Sequence, residues 1–216
     1  SIQGGPGTDI LWGGFGDDVL EAGWGANDSL YGQADQDILY GSDDGADILD
    51  GGTGHDRIYG YSGNDQIAGG PGDDIVEGGA GDDVITGDEG TDLLVGGADH
   101  DVLYGHNDGA SADDDAVDYL YGDAGAFAVT DGAGQDLLYG GGGNDLLFGE
   151  TGDDDIVSGG DPSDLVDYGE AGDTPGFDTA PSPTPNPALV TGLVNDRAFE
   201  SLSSGVDEAG RWSDLA

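Results

Sequence analysis

The sequence has no cysteine, no methionine and no lysine, and its only basic side chains are Arg57, Arg197 and Arg211. Without cysteine there is no disulfide framework, and without cysteine or an HExxH pattern there is no zinc site of the usual kind. Three cations against 47 acids give a formal charge of −44. Nucleic acid and anionic membrane surfaces are therefore poor direct partners, because a phosphate would meet almost nothing but carboxylates. No stretch approaches the roughly 20 apolar residues of a spanning helix, so no membrane span is expected. Hydrophobic residues make up only 35% of the chain, too few for a conventional layered core. A chain this acidic repels itself when compact and stays unfolded unless something neutralises it.

What the chain does have is glycine, 46 residues of it, and aspartate. Both are placed with a period. Gly69 to Thr86 reads GGPGDDIVE and then GGAGDDVIT, two copies of Gly-Gly-x-Gly-x-Asp-x-aliphatic-x. Further copies begin at Gly4, Gly13, Ala22, Gly32, Gly41, Gly51, Gly60, Gly87 and Gly96. Those beginning at Ala22 and Gly41 carry one extra residue. Ser1 to Gln3 fit the last three positions of a preceding repeat, and the absence of a starting Met or leader pattern suggests a fragment, a processed product or a chain exported without an N-terminal signal. Two turns, 105–118 and 122–136, are enlarged before regular copies resume at Gly140 and Gly149, and the series ends in a degenerate turn at Asp161 to Asp164.

The eighth position is aliphatic in every copy, from Leu11 and Leu20 through Leu94 and Leu147 to Ile156 and Val166. Side chains alternate sides along a strand, so an inward eighth residue turns the seventh and ninth outward. Two short strands and two turns then complete one coil. The expected fold is all-β, a parallel β-roll or right-handed β-helix solenoid of about eight coils of roughly 18 residues, forming a rod on the order of 40 Å long. Residues 1–168 form the roll, 169–187 a proline-rich linker, and 188–216 a C-terminal docking or capping segment.

A two-repeat coil stacks every second turn. Asp9, Asp28, Asp47, Asp65, Asp83, Asp101, Asp136 and Asp154 then form one column, and Asp18, Asp37, Asp56, Asp74, Asp92, Asp118, Asp145 and Asp164 the other. Carboxylates about 4.8 Å apart repel unless a cation lies between each pair. Glycine admits backbone conformations that swing carbonyl oxygens toward a common point, and carbonyl plus carboxylate oxygens suit calcium better than the strict octahedron of magnesium. About 14 such gaps, each holding one divalent ion, would reduce −44 to about −16.

The repeat resembles the RTX (repeats-in-toxin, haemolysin-type) calcium-binding β-roll family. The resemblance implies a calcium-loaded protein, secreted, extracellular or held at the cell surface. It also implies that each ion is shared between stacked turns. The ligands would be the sixth-position Asp residues and main-chain carbonyls of the glycine stretches, such as Gly5, Gly7, Gly14, Gly16, Gly52, Gly54, Gly70, Gly72, Gly79, Gly81, Gly141 and Gly143.

His55 and His100 occupy the variable fifth position and His106 opens an enlarged turn, and all three are expected to be exposed. Asp113, Asp114 and Asp115 are read either as an additional calcium site or, the favoured reading, as residues that solvate their loop, since no EF-hand Glu follows at the required spacing. No nucleophile motif supports catalysis, so no enzyme activity is expected. The outward apolar residues, among them Ile10, Trp12, Tyr31 and Tyr40, are read either as plain strand-forming residues or as a contact surface. The favoured function is a calcium-dependent extracellular structural or adhesive element whose copies associate end to end or laterally, with fibres as one outcome. The alternative is the calcium-binding and export module of a larger secreted toxin, protease or lipase. Ice binding is disfavoured, because the third positions carry no repeated Thr or Asn.

Overall fold

In a computed structural model of the chain, the described residues are 1–25, 27–43, 45–106, 117–123, 136–141, 145–149, 155–157, 165–167 and 174–175. They contain eighteen strands and no helix, beginning at Ile2–Pro6 and ending at Thr174–Pro175. All these strands lie in one compact unit, Ser1–Ser182; the second unit, Pro183–Ala216, falls outside the described residues.

Successive strands alternate between two nine-stranded sheets, and every pairing is parallel. This is the solenoid that the nonapeptide period implies. Each eighth-position residue pairs with the eighth position two repeats on, as in Leu11 with Leu30, Ile58 with Val76 and Leu103 with Leu138. The alternation places those side chains inside. From Leu20 to Leu147 the buried column is at most 3% exposed; near the start Leu11 reaches 8% and Ile2 is only partly buried. Each such side chain contributes about 1.5–3 kcal/mol relative to leaving it in water.

The enlarged turns leave this register intact. Leu94 pairs with Leu120 and Leu103 with Leu138, so extra residues leave and rejoin the coil without shifting the strands. The loops themselves, 107–116 and 124–135, lie outside the described residues, as do Asp113, Asp114 and Asp115. The copies at Ala22 and Gly41 stack directly on each other, so their extra residues fall in adjacent coils of one turn column.

Many strands are longer than the three residues the motif suggests. Ile10–Phe15 and Val19–Trp24 have six residues, because pairing resumes after the first glycine of the next repeat. Gly5 pairs with Gly23 and Pro6 with Trp24. At the other end, Thr174–Pro175 pairs with Asp155–Val157, so the sheet extends into the segment expected to be linker.

Outside the sheets, ninth-position rings stack along the coils: Tyr104 on Tyr139 at 4.9 Å and Tyr121 on Phe148 at 4.7 Å between ring centres. Tyr40 stacks on Tyr59 at 5.3 Å. Much of the outer apolar surface is thus cross-strand packing. The exceptions cluster in the coils nearest residue 1, where Phe15 and Trp24 are 96% and 83% exposed.

Candidate metal centres

The sixth-position aspartates form the two columns that the sequence indicates. In the first, the N–H of Asp9 donates to Asp28 Oδ1, Asp28 to Asp47, Asp47 to Asp65, Asp65 to Asp83, Asp83 to Asp101 and Asp101 to Asp136, all at 2.7–2.8 Å. In the second, Asp18 donates to Asp37, then Asp37 to Asp56, Asp56 to Asp74, Asp74 to Asp92, Asp92 to Asp118 and Asp118 to Asp145, at 2.7–3.0 Å. The ladders span both enlarged turns. Asp154 and Asp164 lie outside the described residues.

Each carboxylate therefore reaches down to the coil below with one oxygen. The other oxygen turns inward. Oδ2 of Asp28, Asp37, Asp56, Asp65, Asp74, Asp83 and Asp92 is buried without a hydrogen-bond partner, as is Oδ2 of Asp9. The glycine at the first position makes room for it. A Cβ on Gly51 would stand 2.6 Å from Asp56 Oδ2, and one on Gly60 would stand 2.5 Å from Asp65 Oδ2. Orphaned buried carboxylate oxygens destabilise a fold unless something compensates them.

The main chain presents further oxygens to the same gaps. Glycines at the second and fourth positions have positive φ, as in Gly52 at 99° and Gly54 at 151°. Their carbonyls point along the stack at the backbone of the next coil. Gly52 O faces Gly70, Gly54 O faces Gly72, Gly5 O faces Gly23 and Gly7 O faces Gly25, each where a Cβ would collide. The positive φ survives where the residue is not glycine, at Gln33, Asp35, Tyr61, Asp88 and Asp99. Of the remaining carbonyls expected as donors, those of Gly79, Gly14, Gly16, Gly81 and Gly141 belong to residues with the same positive φ, the Gly70 and Gly72 residues likewise, and Gly143 lies outside the described residues.

Burial pushes these carboxyls up. Asp28 and Asp37 rise above the ordinary carboxylate value, Asp56 to about 6, Asp65, Asp74 and Asp83 to about 7, and Asp92 to about 8. Desolvation is the largest cause, the ladder hydrogen bond opposes it, and charges of stacked Asp residues add to it. The column is thus electrostatically coupled from coil to coil. A cation in the gaps would reverse the sense of the desolvation and repulsion alike.

No group of three or more His, Cys, Asp or Glu side chains converges among the described residues. From Asp28 and Asp37 on, each described turn offers one buried sixth-position carboxylate, and the turn carbonyls add main-chain oxygens. Such an all-oxygen donor set fits calcium and offers nothing to a metal that prefers nitrogen or sulfur.

The fifth positions hold a second ladder that sequence reading missed. Asp82 N–H donates to Asn64 Oδ1 and His100 N–H to Asp82 Oδ1, both at 3.2 Å, while Asp73 N–H donates to His55 Nδ1 at 2.8 Å. These side chains reach up the stack, opposite to the buried Asp ladder. The signal was the recurrence of short polar side chains at that position. His55 and His100 are exposed as expected, but His106 is only 6% exposed, with Nδ1 2.9 Å from the Asp88 carbonyl oxygen. It stands one coil above Asp88 and packs along the stack, which corrects the expectation of an exposed turn residue.

The family model of the RTX calcium-binding nonapeptide repeat (4 copies) matches residues 1–27, 25–44, 42–76, 69–103 and 130–165. Comparison with curated proteins gives no match. The matched segments cover more than half of the chain and contain every column aspartate except Asp118, and on that ground the chain belongs to the RTX calcium-binding nonapeptide repeat family.

Proposed function

We propose that this calcium-binding repeat module is a non-enzymatic, extracellular structural element whose folding and rigidity are set by calcium. One observation carries the reading. From Asp28 and Asp37 to Asp136 and Asp145, the described aspartates of both columns are at most 2% exposed and stacked one per coil, each accepting the N–H of the Asp below, in a chain with three basic side chains. Calcium held between the sixth-position Asp and the second- and fourth-position carbonyls supplies the missing positive charge. Extracellular calcium modules bind at around 10⁻⁴–10⁻³ M, so such a chain stays unfolded where calcium is scarce and orders where it is abundant.

The exposed Ile10, Trp12, Phe15 and Trp24 support a role in which the ordered roll associates with further copies, end to end or laterally. Small-angle scattering combined with light scattering on the full chain tests both parts. Millimolar calcium should compact the chain, and the compact form should grow in mass with protein concentration. Equal dimensions in calcium and in chelator would overturn the calcium part, and a strictly monomeric compact form at high concentration would overturn the association.

A further inference from the structure

Ser42 stands at the second position of its copy, where most turns have glycine. Its side chain is 1% exposed. Ser42 Oγ lies 2.9 Å from the Gly25 carbonyl oxygen of the coil below and 3.0 Å from Asp47 Oδ2 of its own turn. The Ser42 N–H also donates to Asp47 Oδ2, at 2.8 Å. Asp47 Oδ2 therefore has two donors, in contrast to the orphaned Oδ2 of Asp28 below it and of Asp65 and Asp83 above.

We infer that the gap between the turns of Gly25 and Asp47 takes no calcium, because the Ser42 hydroxyl occupies the place that an ion fills elsewhere in the column. The inference rests on the calcium reading given above. The two oxygens that Ser42 joins are the kinds of oxygen assigned to the ion in the other gaps, an inward Oδ2 and a turn carbonyl of the neighbouring coil. A hydroxyl proton shared over such distances satisfies one of them at a time, and the Ser42 N–H holds the carboxylate when the hydroxyl turns to Gly25. An ion entering this gap would have to displace a buried side chain that already meets the needs of both oxygens. In a neutral sense the serine is a permanent, metal-free staple between two coils. It belongs to the copy at Gly41, which stacks on the other ten-residue copy, at Ala22, so the irregular turns and the substituted ligand position coincide. These coils then hold together at calcium levels that leave the regular ones open.

Crystals of the full chain grown in calcium and measured for anomalous scattering decide this without a variant. Peaks between the regular stacked turns, with none between Gly25 and Asp47, are expected; a peak there equal to its neighbours would overturn the inference. Peaks nowhere would instead remove the calcium reading. Ser42→Gly gives the complementary measurement, by native mass spectrometry in saturating calcium. The variant should bind about one ion more per chain than the parent, as its freed Oδ2 and carbonyl become available. An unchanged count in a variant that still binds calcium would contradict the inference, and no bound calcium in either chain would contradict the reading beneath it.

Discussion

Adjacent aspartates within one turn have opposite roles. Asp74 is buried, accepts the Asp56 N–H and has an orphaned Oδ2, whereas Asp73 is exposed and accepts the Thr91 N–H at 3.1 Å from outside. Asp74→Ala should therefore lower the calcium stoichiometry measured by isothermal titration, while Asp73→Ala should leave it unchanged and cost less than about 1 kcal/mol. Equal losses would mean that the buried column is not the ligand column. Glycine at the first position is required by space. Gly60→Ala brings a Cβ against Asp65 Oδ2 and the Gly78 carbonyl, and should cost more than about 2 kcal/mol in chemical denaturation in calcium. The sequence revealed the Asp columns because a strict period alone determines which turns stack. It did not reveal that each Oδ1 binds the N–H below, that Ser42 bridges two coils or that His106 is buried. Those depend on side-chain reach between residues about 18 apart, which period and composition do not encode.

At the level of the strand, one buried aliphatic residue per repeat is nearly the entire core. Leu94→Ala removes such a side chain between Val76 and Leu120, and should destabilise the calcium-loaded form by about 2–5 kcal/mol. Val84→Ala, on the outward seventh position and 42% exposed, should cost less than about 1 kcal/mol in the same measurement. The alternation was legible because a two-residue period leaves no choice of face. Strand length was less legible. The glycines read as turn residues, yet Gly5, Gly23, Gly79 and Gly97 pair in the sheets with positive φ, so the sheets run further into each repeat than the aliphatic triplet indicates.

For the roll as a whole, protons and calcium are alternative answers to the same buried charge. The folded-state values of Asp56, Asp65, Asp74, Asp83 and Asp92, about 6 to about 8, lie above the ordinary carboxylate value of 3.8. In a group raised on folding, the native form binds the proton more tightly than the unfolded chain. The resulting stability is fully present below the ordinary value and is lost as pH rises through the folded value. In chelator, the roll should keep most β structure near pH 4–5 and lose it between about pH 6 and 8. Calcium should abolish that loss. A chelated chain with the same circular dichroism at pH 5 and pH 8 would show that the columns are not buried as acids.

The most direct measurement is far-ultraviolet circular dichroism of the full chain at pH 7.5 or so during a calcium titration from excess chelator. A disordered spectrum without calcium should convert cooperatively to a β spectrum in the range of about 10⁻⁴–10⁻³ M, and magnesium at the same concentrations should not substitute. A full β spectrum in excess chelator at that pH, unchanged by added calcium, would contradict calcium as the charge that allows this chain to fold.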